Sequence, residues 1–157
     1  VLDMTIEDSL KFFQNSKTII NKLRPLNDVG LGYLKLGQSS STLSGGEAQR
    51  LKLASYLIQD NKVSKNNSLF IFDEPTSGLH NMDIENFMKS VNDLIARDNS
   101  VIIIEHNTEL IKQADWIIDM GPGGGENGGS ICFEGEPTEL VNTNNNKTGK
   151  YLRKMFV

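Results

Sequence analysis

The sequence predicts an α/β fold: a small helical lobe, then part of a mostly parallel sheet with flanking helices. Three observations carry this. Leu69–Phe72 and Val101–Ile104 are short continuous apolar runs, the pattern of strands buried on both faces. Between them, Ile84, Phe87, Met88, Val91, Leu94 and Ile95 fall on one helical stripe. The first sixty residues carry helix caps and helical spacing, with no strand pattern.

The elements follow in order. Thr5-Ile6-Glu7-Asp8 is a capping box that opens a short helix through Phe13. A second helix starts near Ser16 and carries Ile19, Ile20 and Leu23, and Pro25 should kink or end it. Asp28-Val29-Gly30-Leu31-Gly32 closes this region. A third helix opens at Ser44 with Glu47 three residues on, a second capping box. Its apolar face is Leu51, Ala54 and Ile58, Asp60-Asn61 ends it, and Asn66-Asn67 is a loop. After the strand at Leu69, a helix spans Met82 to Arg97 and a second strand follows at Val101. Thr108 to Ala114 reads as a short helix, Trp116-Ile117-Ile118 as a third strand and Ile131-Cys132-Phe133 as a fourth. Residues 143–149 read as a polar mobile loop, and Tyr151 to Phe156 as a last short helix. Two domains are expected, residues 1–62 as the helical lobe and 63–157 as the α/β core.

The chain has 157 residues and a net charge of −4, so bulk charge carries no nucleic-acid signal. The charge is uneven: residues 1–62 hold eight Lys/Arg against six Asp/Glu, and residues 63–157 eight against fourteen. Lys11, Lys17, Lys22, Arg24 and Lys35 form either a solvated face or a phosphate-backbone contact surface. Cys132 is the single cysteine, which excludes a disulfide framework and a cysteine zinc site within the chain. Its apolar neighbours place it in a core, as they do Trp116 and most of the methionines and phenylalanines. No apolar run reaches membrane-spanning length, so a cytoplasmic location without a membrane partner is expected. The chain begins at Val1, the expectation being a piece of a longer protein.

Four stretches carry chemistry. Leu69-Phe70-Ile71-Phe72-Asp73-Glu74 delivers two adjacent carboxylates at the carboxyl edge of a sheet, where α/β folds bind ligands. Such a pair either divides labour, one acid holding Mg²⁺ through water and the next orienting a water, or simply solvates a strand end. His106 ends the second buried strand, where it either donates to a phosphate or serves as a surface cap. Ser44-Gly45-Gly46-Glu47 begins a helix whose free N–H groups suit an anion. A capping box alone accounts for Ser44 and Glu47, but two glycines in a first turn cost about 1 kcal/mol each relative to alanine. Gly123-Gly124-Gly125-Glu126-Asn127-Gly128 matches a dinucleotide-binding spacing by letter, yet a strand follows it rather than a helix, so it reads as a turn.

Together these stretches resemble the ATP-binding cassette (ABC) ATPase family. Leu43-Ser44-Gly45-Gly46-Glu47-Ala48-Gln49-Arg50 is similar to its signature, Leu69 to Glu74 to its Walker B strand, Ser77-Gly78-Leu79-His80 to its D-loop, and His106 to its switch histidine. Within that family the chain resembles UvrA, the damage-sensing subunit of bacterial excinuclease. The residues that carry this are Gly30 to Gln38, Asp73 to His80, Ala114 to Pro122, Val1 to Thr5 and Thr148 to Leu152. The resemblance implies the carboxyl-terminal nucleotide-binding part of a partial ABC fold, with ATP and Mg²⁺ as cofactors. It implies Asp73 on Mg²⁺ through water, Glu74 and His106 as catalytic residues, and Ser44, Gly45, Gly46, Glu47, Gln49, Ser77 and Gly78 around ATP. The signature residues would face an ATP held mainly by another cassette. Implied partners are the second nucleotide-binding domain, a UvrA homodimer, UvrB and damaged duplex DNA.

The chain departs from the family in one large respect: it contains no G-x-x-x-x-G-K-[ST]. The expectation is a fragment cut after a zinc module, with zinc in the parent protein and little or no ATPase activity in the chain by itself. The alternatives are a UvrA-like paralogue, a transporter ATPase, a structural-maintenance-type head, and a non-catalytic interaction module. Residues 1–40 lack the heptad arms of the structural-maintenance type, and His80 with the UvrA-like tail separates the chain from transporters.

Overall fold

The computed structural model describes residues 1–59, 67–121, 123 and 128–155. The expected helix end at Asp60-Asn61, the loop residue Asn66, most of the glycine-rich turn and Phe156 lie outside the described residues. The chain forms two compact units, Val1–Glu105 and His106 onward.

In the first unit, α1 (Ile6–Phe12) opens where Thr5 Oγ1 accepts the Asp8 N–H at 3.0 Å. Residues 2–6 run beside 34–37, with Ile6 N–H donating to Leu34 O and Leu36 N–H to Met4 O. α2 (Lys17–Leu26) passes through Pro25. Pro25 deletes one donor near the helix end, and the Asn27 N–H still reaches the Leu23 and Arg24 carbonyls. The break comes later, at Gly30, whose φ of 76° is left-handed. A Cβ there would lie 2.7 Å from the Leu79 Cδ2, so close packing also demands glycine. The wide turn of residues 27–31 is therefore core, with Val29 and Leu31 fully buried against the helices that span Gly45–Gln59 and Asn81–Ile95.

α3 (Gly45–Gln59) turns Arg50, Leu53 and Ala54 inward; Leu51 and Ile58, expected on its apolar face, are only half-buried. β1 (Leu69–Asp73) and β2 (Ser100–Ile104) pair in parallel, Leu69 opposite Ser100 and Asp73 opposite Ile104. The crossover is α4 (Asn81–Ile95), which buries Ile84, Phe87, Met88, Val91 and Leu94. Ile95 ends the expected stripe exposed. Phe72 meets Phe87 edge-on at 6.0 Å, so one sheet face is sealed by α4. The strands are not buried on both faces: Leu69, Ile71, Ile102 and Ile104 are exposed. Alternate residues of a strand point to opposite faces, and helices cover only one of them here.

In the second unit, Asn107 caps α5 (Thr108–Ile111), accepting from the Glu109 N–H. β3 (Ile117–Met120) and β4 (Ile131–Gly135) form an antiparallel hairpin, so the parallel description holds for β1-α4-β2 and these two strands pair with each other. α6 (Pro137–Asn142), unforeseen in the sequence, starts with Pro137 at its first position and Glu139 accepting from the Glu136 N–H. α7 (Lys147–Leu152) begins inside the expected loop because Asn146 Oδ1 accepts from the Gly149 N–H at 2.7 Å. Asp119 holds this cap from β3, accepting from Asn146 Nδ2 at 2.8 Å and Thr148 Oγ1 at 3.0 Å.

Ile117, Leu140 and Leu152 make the second core, with Phe133 packed against it. Cys132 and Trp116 are exposed rather than core, as are Phe12, Met82 and Met120. Neighbouring strand residues face opposite ways, so an apolar run alone does not say which side is covered. A Cβ on Gly149 would lie 2.4 Å from the Leu140 carbonyl oxygen. Gly149→Ala, which gains helix propensity on an open helix, is therefore expected to destabilise this unit by about 1–3 kcal/mol through overpacking. A thermal or urea melt checks this, and an unchanged or raised midpoint would contradict the close α6–α7 approach.

Candidate functional site

The Ser44 motif forms the expected capping box. The Ser44 N–H donates to Glu47 Oε2 at 2.6 Å, the Glu47 N–H donates to Ser44 Oγ at 3.3 Å, and the Ala48 N–H donates to the Ser44 carbonyl at 2.9 Å. Among the described residues the Gly45 and Gly46 N–H groups have no acceptor. The two glycines differ. A Cβ on Gly45 would meet nothing within 4 Å, so no packing within the described residues requires glycine there. A Cβ on Gly46 would lie 3.3 Å from an Arg50 nitrogen and 3.6 Å from the Glu74 and Ser77 carbonyl oxygens. Gly46 thus leaves room for the Arg50 guanidinium beside the turn that follows β1, while Gly45 leaves its N–H open to an incoming anion.

That turn carries the acids. Asp73 and Glu74 are both exposed at the carboxyl end of β1. Glu74 takes φ = 48°, a left-handed conformation that costs a non-glycine residue about 1–3 kcal/mol. Its backbone is pinned on both sides: the Glu74 N–H donates to Ile104 O at 2.9 Å, and the Ser77 N–H donates to Glu74 O at 3.2 Å. Gly78, also left-handed, completes the turn.

Three side chains hold the segment in place. Gln49 exchanges two hydrogen bonds with the Asp73 backbone, Nε2 to O at 2.9 Å and N to Oε1 at 3.0 Å. Arg50 Nη1 donates to Pro75 O at 2.7 Å and to Ser77 O at 3.3 Å. The Thr76 N–H donates to Glu105 Oε1 at 2.9 Å, and the Thr76 hydroxyl donates to the same atom. Ser44, Gly45, Gly46, Glu47, Gln49, Asp73, Glu74, Ser77 and Gly78 therefore gather in the first unit. His106 lies exposed between β2 and α5 and belongs to the second.

Three residues had no assigned role in the sequence reading. Tyr33 donates its hydroxyl to Glu47 Oε1 across fourteen residues of chain, for which sequence offers no signal. Glu105 stands beside His106. Arg50 had a signal: it shares a helical stripe with Leu53 and Ala54, so a charge falls on a buried face.

The Tyr33 hydroxyl, then the Ser44 N–H, hold the Glu47 carboxyl below its usual range. Burial, then Glu47, push the Tyr33 phenol upward. A carboxyl depressed in the folded state contributes stability above its unfolded pKa and loses it as pH falls through the folded value. The cap at α3 is therefore expected to weaken in acid. The melting difference between the chain and Glu47→Gln should shrink from neutral pH into that range, and a pH-independent difference would remove the charged cap.

The Asp73-Glu74 pair suits Mg²⁺, which takes one or two carboxylates and completes its shell with water and phosphate oxygens. Among the described residues no group of three or more His, Cys, Asp and Glu gathers as a self-sufficient metal cage.

No family model matches the chain. The chain is 51% identical over 156 residues, 99% of its length, to UvrABC system protein A of Mycoplasmopsis pulmonis. It is 50% identical over 154 residues to the protein of that name in Aquifex aeolicus. It spans 16% of the length of each of these relatives. Its fold matches the crystal structure of UvrA2 from Deinococcus radiodurans with a TM-score of 0.81 at 39% identity, covering 98% of this chain and 18% of that one.

Proposed function

We propose, from the likeness of nearly this whole chain to a part of UvrABC system protein A, that the chain is the signature and Walker B part of a UvrA-type ABC ATPase. Its parent protein couples ATP binding and hydrolysis to recognition of damaged DNA in nucleotide excision repair. The observation that carries the reading is the open helix start: the Gly45 and Gly46 N–H groups have no acceptor among the described residues, and Gly46 lies against the turn that presents a strained Glu74.

In this reading Ser44, Gly45 and Gly46 donate to the γ-phosphate of an ATP bound mainly to another cassette, and Ser77 and Gly78 border it. Asp73 holds Mg²⁺ through water, and that ion when bound neutralises phosphate charge. Glu74 orients and deprotonates the attacking water. His106 donates to the γ-phosphate of this cassette's own ATP. Glu47 and Gln49 contribute from within, closing the cap and fixing the Asp73 backbone. Residues 1–62 are the helical signature lobe and 63–157 the Walker B and switch part. The parent carries zinc elsewhere, forms a homodimer with paired nucleotide-binding domains, hands lesions to UvrB and works in the cytoplasm. No helix among the described residues is long and apolar enough to cross a membrane.

The test is ATP turnover with and without damaged duplex DNA, by this chain and by the longer protein. Turnover by the longer protein alone, altered by damaged DNA, supports the reading. Turnover indifferent to DNA keeps the ATPase and removes the repair role. Turnover by the chain alone, abolished by Glu74→Gln, overturns its expected inactivity.

A further inference from the structure

Arg50 is 1% exposed, a guanidinium in the core of the first unit. Among the described residues no carboxylate lies within ion-pair distance of it, and its Nε has no acceptor. Burial pushes its pKa down. Tyr33, Glu47 and Asp83 offset part of that burial from beyond ion-pair distance, and a buried charge still needs hydrogen bonds to be held. The bonds Arg50 makes go to two main-chain carbonyls in the turn after β1, at Pro75 and Ser77.

These carbonyls flank the segment that sets the Glu74 backbone. The Glu74 N–H is tied to Ile104 O and the Ser77 N–H to Glu74 O. With the Glu74 backbone bonded at Ile104 O and Ser77 N–H and the next carbonyls held by Arg50, a change in the left-handed Glu74 conformation would strain these bonds together. Arg50 also sits one helical turn after Gly46, whose missing Cβ admits the guanidinium. The same helix start that presents open N–H groups is thereby clamped to the turn that presents Glu74.

We propose that Arg50 is a positioning residue that locks the start of α3 and the Glu74–Gly78 turn into one rigid body and holds the Glu74 carboxylate at its working angle. This rests on the ATPase reading for its kinetic consequence and on geometry alone for the mechanical link.

Arg50→Lys keeps the charge but replaces the rigid guanidinium plane, which aims Nη1 at both carbonyls, with a shorter and more flexible ammonium, so the two bonds lose their fixed geometry. In the full-length protein that carries this segment, Arg50→Lys is expected to lower kcat by about 10²-fold, the effect of a small misplacement of a catalytic group. KM for ATP and the number of ATP molecules bound per protein should stay near wild type. An unchanged kcat overturns the proposal, as does a fall no larger than the lost ATP-binding stoichiometry, which is the signature of a merely structural role. Hydrogen exchange in the unaltered protein tests the link without a variant. The Glu74 and Ser77 amides should open together with the amides of α3, and earlier opening would overturn the clamp. If the unaltered protein does not hydrolyse ATP but the turn and α3 exchange as one unit, the ATPase reading fails and the clamp stands.

Discussion

Glu74→Gln in the full-length protein is expected to cut ATP turnover by about 10²–10⁴-fold, the loss typical of removing a general base, while ATP binding persists. Glutamine matches glutamate in shape, so the turn should keep its geometry. The backbone bonds at Ile104 O and Ser77 N–H do not involve the side chain. What disappears is the ability to take a proton from water. The left-handed φ of Glu74 strengthens the expectation, because glycine would hold that conformation at lower cost and glutamate is present instead. Single-turnover hydrolysis with nucleotide binding measured in parallel decides it. Turnover within a few-fold of wild type would take the base role away from Glu74.

Gly45→Ala is expected to move stability and activity in opposite directions. Alanine is favoured over glycine in a helix by about 1 kcal/mol, and a Cβ at this position meets open space. The α3 start should therefore become more stable, read as a higher melting midpoint. The added methyl stands beside the two N–H groups that have no acceptor among the described residues, so a phosphate can no longer approach them closely. Loss of such donors in other enzymes costs about 10²–10³-fold in turnover, and a loss of that order is expected in the full-length protein. Gly46→Ala is the contrast. Its Cβ would crowd the buried Arg50 guanidinium at 3.3 Å and disturb the bonds that Arg50 makes to the Glu74 turn, so it should lose stability and activity together. A Gly45→Ala protein that gains stability and keeps full turnover would return the motif to a plain capping box.

The local elements and the chemical motifs are determined by the sequence alone. Thr5 with Asp8, Ser44 with Glu47 and the stripe from Ile84 to Leu94 each act within a few residues, through bonds or periodicity contained in the segment itself. That is why α1, α3, α4 and the strand carrying Asp73 and Glu74 stand where the sequence puts them. Only the tertiary structure decides which apolar surface is covered. Ile71 and Ile102 lie in runs as apolar as any core strand and are exposed because helices seal one face of β1 and β2. It also pairs β3 with β4, separates the tasks of Gly45 and Gly46, and buries Arg50 against carbonyls 25 and 27 residues away. Hydrogen bonds at that separation depend on where the chain returns, and no spacing of residue types within one segment encodes the return.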